Sequence, residues 1–160
     1  MNWAGRYDES WHVKLNGGVS VDRVTWQQIA EERLIAAQAL LAANCWSSAY
    51  YLAGYAVECG LKSCILVRVA ATSDVIFTEK KFSEKCWTHD IEELVKLAGL
   101  KTVRDADIVA NAALRDNWLI AKDWTEKSRY ETKTELEARN LLDAIADQAN
   151  GVMPWIRSRW

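Results

Sequence analysis

The sequence predicts an all-α domain, a bundle of about five helices behind an N-terminal arm. Three observations carry that expectation. The one proline among 160 residues, Pro154, stands near the C-terminus, so long helices can run without a break. Apolar residues recur at helical spacing along most of the chain, and no strand-like alternation lasts more than a few residues. Half of the residues are hydrophobic and 26% are charged, an ordinary globular composition. A chain of this size buries roughly 70% of the surface that its unfolded form exposes, enough for one core without staples.

Residues 1–21 show no clear period and contain the turn signal Gly17-Gly18. They form the expected arm, with Trp3 and Trp11 available to pack on the body. Asp22 can cap a first helix from Val24 to Ala43, and Asn44 suits its end. Ser47 or Ser48 can cap a second helix running to about Val69. This segment is apolar nearly all round, so it should be the central helix. Gly54 and Gly60 inside it cost about 1 kcal/mol each against alanine, which fits a close approach of another helix backbone. Ala71 to Thr88 reads as an irregular, solvated stretch. Thr88 then caps a short helix from His89 to Ala98, closed by Gly99. Thr102 with Asp105 resembles a capping box for a fourth helix from Val103 to about Ala121. Thr132 with Glu135 opens the last helix, which runs to Asn150 and closes at Gly151. The bundle therefore spans 22–151, and 152–160 is a basic, aromatic tail beyond Pro154.

Net charge is −2, which argues against a strongly basic surface overall. No apolar run is free of charge for about 18 residues, so no membrane span is expected. The start is not basic and then apolar, so it does not read as a secretory signal. The four cysteines form no CxxC pair and read as reduced thiols of a cytoplasmic protein. No P-loop, no GxGxxG and no HExxH occurs, so neither a cofactor nor a metal is implied.

Three groups of residues can carry chemistry. Glu58 and Lys62 sit four apart on the central helix and can pair on one face, as a polar site or as a structural ion pair. His89, beside Thr88 and Asp90, stands at a helix start, where packing or hydrogen bonding is the simpler role and proton transfer the other. Arg129 and Tyr130 lie at the entry to the last helix, and Lys122 and Lys127 are close in sequence with Trp124 between them. A guanidinium offers a fork of donors suited to phosphate. Cations interleaved with aromatics can track a single strand by charge and stacking. Asp116, Asp123, Glu126 and Glu131 dilute that patch, and a surface ion-pair network with inward tryptophans is the other reading.

The run Tyr51-Leu52-Ala53-Gly54-Tyr55-Ala56-Val57-Glu58-Cys59-Gly60-Leu61-Lys62 resembles the central helix of HEPN domains (higher eukaryotes and prokaryotes nucleotide-binding). A preceding helix with Trp26, Ala30, Arg33, Leu34 and Ala37 is similar to the family's, as is His89-Asp90-Ile91 leading into Leu94 and Leu97. Trp124 to Arg129-Tyr130 looks like the family's segment before the last helix. The resemblance covers about Asp22 to Ala149. It implies a bundle of four or five helices, paired as a homodimer across the central helices. It also implies RNA, nucleotide or partner binding of toxin–antitoxin or phage-defence type, with a nucleotidyltransferase-type antitoxin as one such partner. Many members are metal-independent RNases, which usually carry arginine, four to six residues, then histidine in a late helix. No histidine follows Arg129 here, and the one spacing match is Arg6 to His12, in the arm. The expectation is therefore a binding module. The alternative is an endoribonuclease toxin using Arg129 with a non-standard proton-transfer group, for which Tyr130, Glu58 and His89 are the candidates.

Overall fold

The computed structural model describes residues 13–15 and 19–160. The expectations placed on Trp3, Trp11, Gly17-Gly18 and the Arg6–His12 spacing lie outside them. The all-α class holds: helices dominate the described residues, with one small addition. Strand β1 (Val13–Leu15) pairs antiparallel with β2 (Val19–Val21), Val13 opposite Val21. Three residues a side give too short an alternation to read as a strand.

Helix α1 (Arg23–Ala42) begins as expected, with the Asp22 carboxylate accepting from the Thr25 N–H at 2.7 Å. Asn44 adopts the left-handed conformation that ends the turn (φ 61°), a conformation that asparagine tolerates. Helix α2 (Trp46–Ala71) follows, about 39 Å long at 1.5 Å per residue. Its cap is Cys45, without a side-chain bond. Neither serine caps it: Ser47 Oγ instead accepts from the Lys133 N–H at 2.9 Å, 86 residues away.

The stretch read as irregular contains two single-turn helices, α3 (Val75–Thr78) and α4 (Phe82–Lys85), pinned by the buried Val75 and Phe82. Helix α5 (Ile91–Leu97) is capped by Asp90, which accepts from the Glu93 N–H, while Thr88 accepts from the Asp90 N–H one step earlier. Gly99 closes it at φ 72°, in the region glycine favours. The expected fourth helix is two, α6 (Lys101–Ala110) and α7 (Ala112–Ala121). Asn111 leaves the helix to accept from the Leu114 N–H, the competition with the backbone that makes asparagine a cap. Thr102 caps nothing, and Asp105 bonds Lys101 and Arg104 instead.

After a short 3-10 helix (Glu126–Tyr130), the capping box is Thr134 with Glu137, two residues beyond the pair first read, and it opens α8 (Glu135–Ala146). The expected tail is also different: α9 (Val152–Arg157) follows with Pro154 in its first turn, where a missing N–H leaves no helical bond unmade. Val152, Met153, Trp155 and Ile156 of α9 are buried.

α2 is the axis of the core. Ala53, Gly54, Ala56 to Leu61, Ser63, Cys64 and Ile65 are all buried within this one chain, so the apolar surface of the central helix is covered over that stretch by its own chain. Both α2 glycines meet side chains rather than backbone. A Cβ at Gly54 would stand 2.2 Å from the Trp124 ring, and one at Gly60 would stand 3.0 Å from Ile156.

Candidate functional site

Tyr51, Tyr55, Glu58 and Lys62 follow one another at helical spacing on α2, so they share one face over about 16 Å of rise. The Tyr51 and Tyr55 rings stack, with centroids 5.9 Å apart and planes 11° from parallel. All but Glu58 are half-buried; Glu58 is 1% exposed. A carboxylate so placed needs partners, and it has two. Lys62 Nζ donates to Oε1 at 2.8 Å, and His89 Nδ1 lies 3.0 Å from both oxygens. The Lys62 ammonium also stands 5.3 Å from the Trp26 ring centroid of α1.

An ionised carboxylate only accepts, so the proton on the facing edge of the imidazole sits on Nδ1. In neutral His89, Nε2 then keeps its lone pair. The ring is 46% exposed. Thus the central helix, through Glu58, orients a surface histidine that the loop before α5 supplies. Arg33 of α1 lies near Tyr55 and Cys59 and makes no ion pair among the described residues. Burial pushes the Tyr55 hydroxyl and the Cys59 thiol each up to about 12, and the Arg33 charge opposes both shifts.

The 3-10 helix packs on the other end of this face. Trp124, at its approach, is 1% exposed, lies over Gly54 and meets Tyr51 at 6.1 Å between centroids. Buried in this way, Trp124 offers no open ring face to a base, contrary to its reading as a stacking residue. What it does is fix the turn that carries Arg129. Arg129 is exposed and bonded to no carboxylate among the described residues, and its guanidinium lies 4.9 Å from the centroid of the Tyr130 ring. Tyr130 is 82% exposed. The structure does not bring Arg129 onto Glu58, whose carboxylate is engaged by Lys62 and His89. Lys122 pairs with Asp123 at 2.8 Å, while Lys127 is exposed.

Glu58, Lys62 and His89 therefore come together, and Arg129 with Tyr130 forms a separate station on the 3-10 helix that packs against α2. The pairing of Glu58 with Lys62 is legible from spacing; Arg33, Tyr51 and Tyr55 enter the sequence reading only through the family resemblance, although the two tyrosines stand four apart. A cavity of about 360 Å3 lies elsewhere, against Asp107, Asn111, Asn150, Trp155 and Arg159. No group of three or more His, Cys, Asp or Glu side chains among the described residues is placed to hold a metal ion, and no described helix is long and apolar enough to cross a membrane. No family model, curated protein or solved structure matches the chain.

Proposed function

We propose that this chain is a HEPN-like module that binds RNA or a nucleotide along the α2 face running from Arg129 to His89. The observation that carries the reading is Arg129 itself: an exposed guanidinium without a carboxylate partner among the described residues, beside an exposed tyrosine, on a turn clamped by a buried tryptophan. Guanidinium makes two parallel charge-assisted bonds to one phosphate, and a fixed mount lowers the ordering cost of making them. Arg129→Ala should weaken RNA or nucleotide binding by about 1.5–3 kcal/mol, the range for hydrogen bonds to a charged group, with the melting temperature unchanged. Unchanged affinity would remove Arg129 from the site. On this reading the protein acts in the cytoplasm, in toxin–antitoxin or phage-defence biology. Homodimerisation and a nucleotidyltransferase-type partner rest on the family resemblance alone.

A second reading, RNA cleavage without a metal, is favoured by one observation, the orientation of His89 by Glu58. An imidazole held by a buried carboxylate with its other nitrogen at the surface is suited to proton transfer. It would take the proton of a ribose 2′-hydroxyl as that oxygen attacks the adjacent phosphorus and the P–O5′ bond breaks, leaving a 2′,3′-cyclic phosphate and a 5′-hydroxyl protonated from water. Cleavage of RNA in EDTA that disappears in His89→Gln would support this reading, and binding without cleavage would end it.

A further inference from the structure

We propose that Trp87 is the stacking platform on which an unpaired base of the bound RNA rests. The inference rests on the RNA-binding reading above and adds the base-recognising contact that reading lacks. Trp118, Trp124 and Trp155 are core residues with 2%, 1% and 7% of their surface exposed, whereas Trp87 is 54% exposed. Its position is set from both sides. Behind it, the Cys86 N–H donates to Phe82 O at 3.1 Å and the Trp87 N–H to Glu84 O at 3.3 Å, and Phe82 is buried. Ahead of it, His89 is bonded to Glu58. Two residues span at most about 7 Å, so the Trp87 backbone lies within that distance of the His89 backbone, near the end of the α2 face.

Charge selects the occupant. Glu79 is paired with Arg68, Glu84 with Lys81, and Asp90 caps α5. Lys80 and Lys85 are exposed and have no carboxylate partner among the described residues. An exposed indole in one short segment with unpaired cations and a surface histidine is the combination that holds single-stranded nucleic acid, with charge on the backbone and stacking on the base. Stacking of this kind tolerates any base but requires that it be unpaired.

The test measures binding of a labelled single-stranded oligoadenylate, and of the same strand in a duplex, to the wild-type chain, Trp87→Ala, Trp87→Phe and Arg129→Ala. Trp87→Ala should lose single-strand affinity by about 5- to 150-fold, the equivalent of about 1–3 kcal/mol for one stacked base. Trp87→Phe should recover most of it, and duplex affinity should change little. If wild type binds and Arg129→Ala weakens it while Trp87→Ala binds normally, the platform is wrong and the RNA reading stands. If wild type binds no oligonucleotide at all, the RNA reading itself falls. Ile76 and Phe77 are also exposed in this segment; should Trp87→Ala instead lose affinity for anionic lipid vesicles and none for the oligonucleotide, the segment is a lipid contact and the inference is overturned.

Discussion

Two places in this molecule take charge out of water, and they do so differently. At the α5–α6 corner, Arg104 is 6% exposed, and each of its three guanidinium nitrogens donates to a carboxylate. Two reach the Glu92 carboxylate at 2.7 and 2.9 Å, Nε reaches Asp105 at 2.8 Å, and the Trp118 ring lies 5.3 Å from the guanidinium. One turn on, Asp107 takes the Trp155 indole N–H at 2.8 Å and Arg159 at 2.6 Å, tying α6 to α9. In the α2 cluster, by contrast, Glu58 is as deeply buried, yet one of its two partners keeps half its ring and one ring nitrogen at the surface. A charge whose partners only pair with it holds elements together. A charge that positions a surface group has something left to offer a ligand.

The largest expected effect would break that contrast if it appeared on the wrong side. Arg104→Ala should cost about 3–5 kcal/mol of stability, the range for removing one partner of a buried ion pair, nearer the lower figure because Glu92 is 34% exposed and can rehydrate. RNA affinity per folded molecule should not change. Glu58→Gln should cost less, about 2–3 kcal/mol, since His89 is half in water and such pairs are screened. It should also lower RNA affinity, because His89 and Lys62 lose their common anchor. Chemical denaturation and binding on both variants decide the matter. If Glu58→Gln costs stability alone, the α2 cluster is another corner clamp.

How far these two sites could be read from sequence follows from the range of the contacts. Asp22, Gly99 and the α2 periodicity act within a few residues, and each was legible. Glu58 with Lys62 was legible for the same reason, while His89 joins them across 31 residues, a tertiary event without a local signal. Trp124 looked like a surface aromatic among cations, and what buries it is the missing side chain of Gly54, 70 positions earlier. The C-terminal helix was masked by Pro154, which stops a helix from within but starts one readily. Two overlapping Thr-x-x-Glu patterns, at Thr132 and Thr134, made the start of α8 uncertain by two residues. Burial of α2 by its own chain depends in part on α9, whose Ile156 and Met153 lie against Gly60, so reading the last nine residues as a tail leaves out one wall of the core.

Alkaline pH sharpens the contrast next. Burial holds the Cys59 thiol at about 12 from an ordinary 9.0. A raised acid keeps its proton in the folded chain after the unfolded chain has lost it. Stability is therefore complete below pH 9 and falls as pH rises toward 12. At pH 10 the loss from Cys59 is about 1.4 kcal/mol. Tyr55 shifts in the same sense and adds to it. The Arg104 corner contributes nothing here, since the hydrogen bonds to Glu92 hold that guanidinium above its already high ordinary value. Melting temperatures at pH 7, 9 and 10 should therefore fall more steeply for wild type than for Cys59→Ala. Parallel curves would show that the thiol is not the group responsible.

The smallest effect concerns how the Arg129 station is held in register with α2. Ser47, in the first turn of α2, accepts from the Lys133 N–H, and Lys133 in turn pairs with Glu131 at 2.7 Å and lies 4.6 Å from the Tyr50 ring centroid. This knot joins α2 to the chain segment immediately after Arg129 and Tyr130. Ser47→Ala leaves one partly buried N–H without its acceptor, which should cost about 1 kcal/mol and lower the melting temperature by about 2–4 °C for a domain of this size. The clamp that orients Arg129 is chiefly Trp124 over Gly54, so RNA affinity should stay within about twofold of wild type. A large loss of affinity at so small a cost in stability would mean that the Lys133 knot, rather than the buried tryptophan, sets the direction of the Arg129 guanidinium.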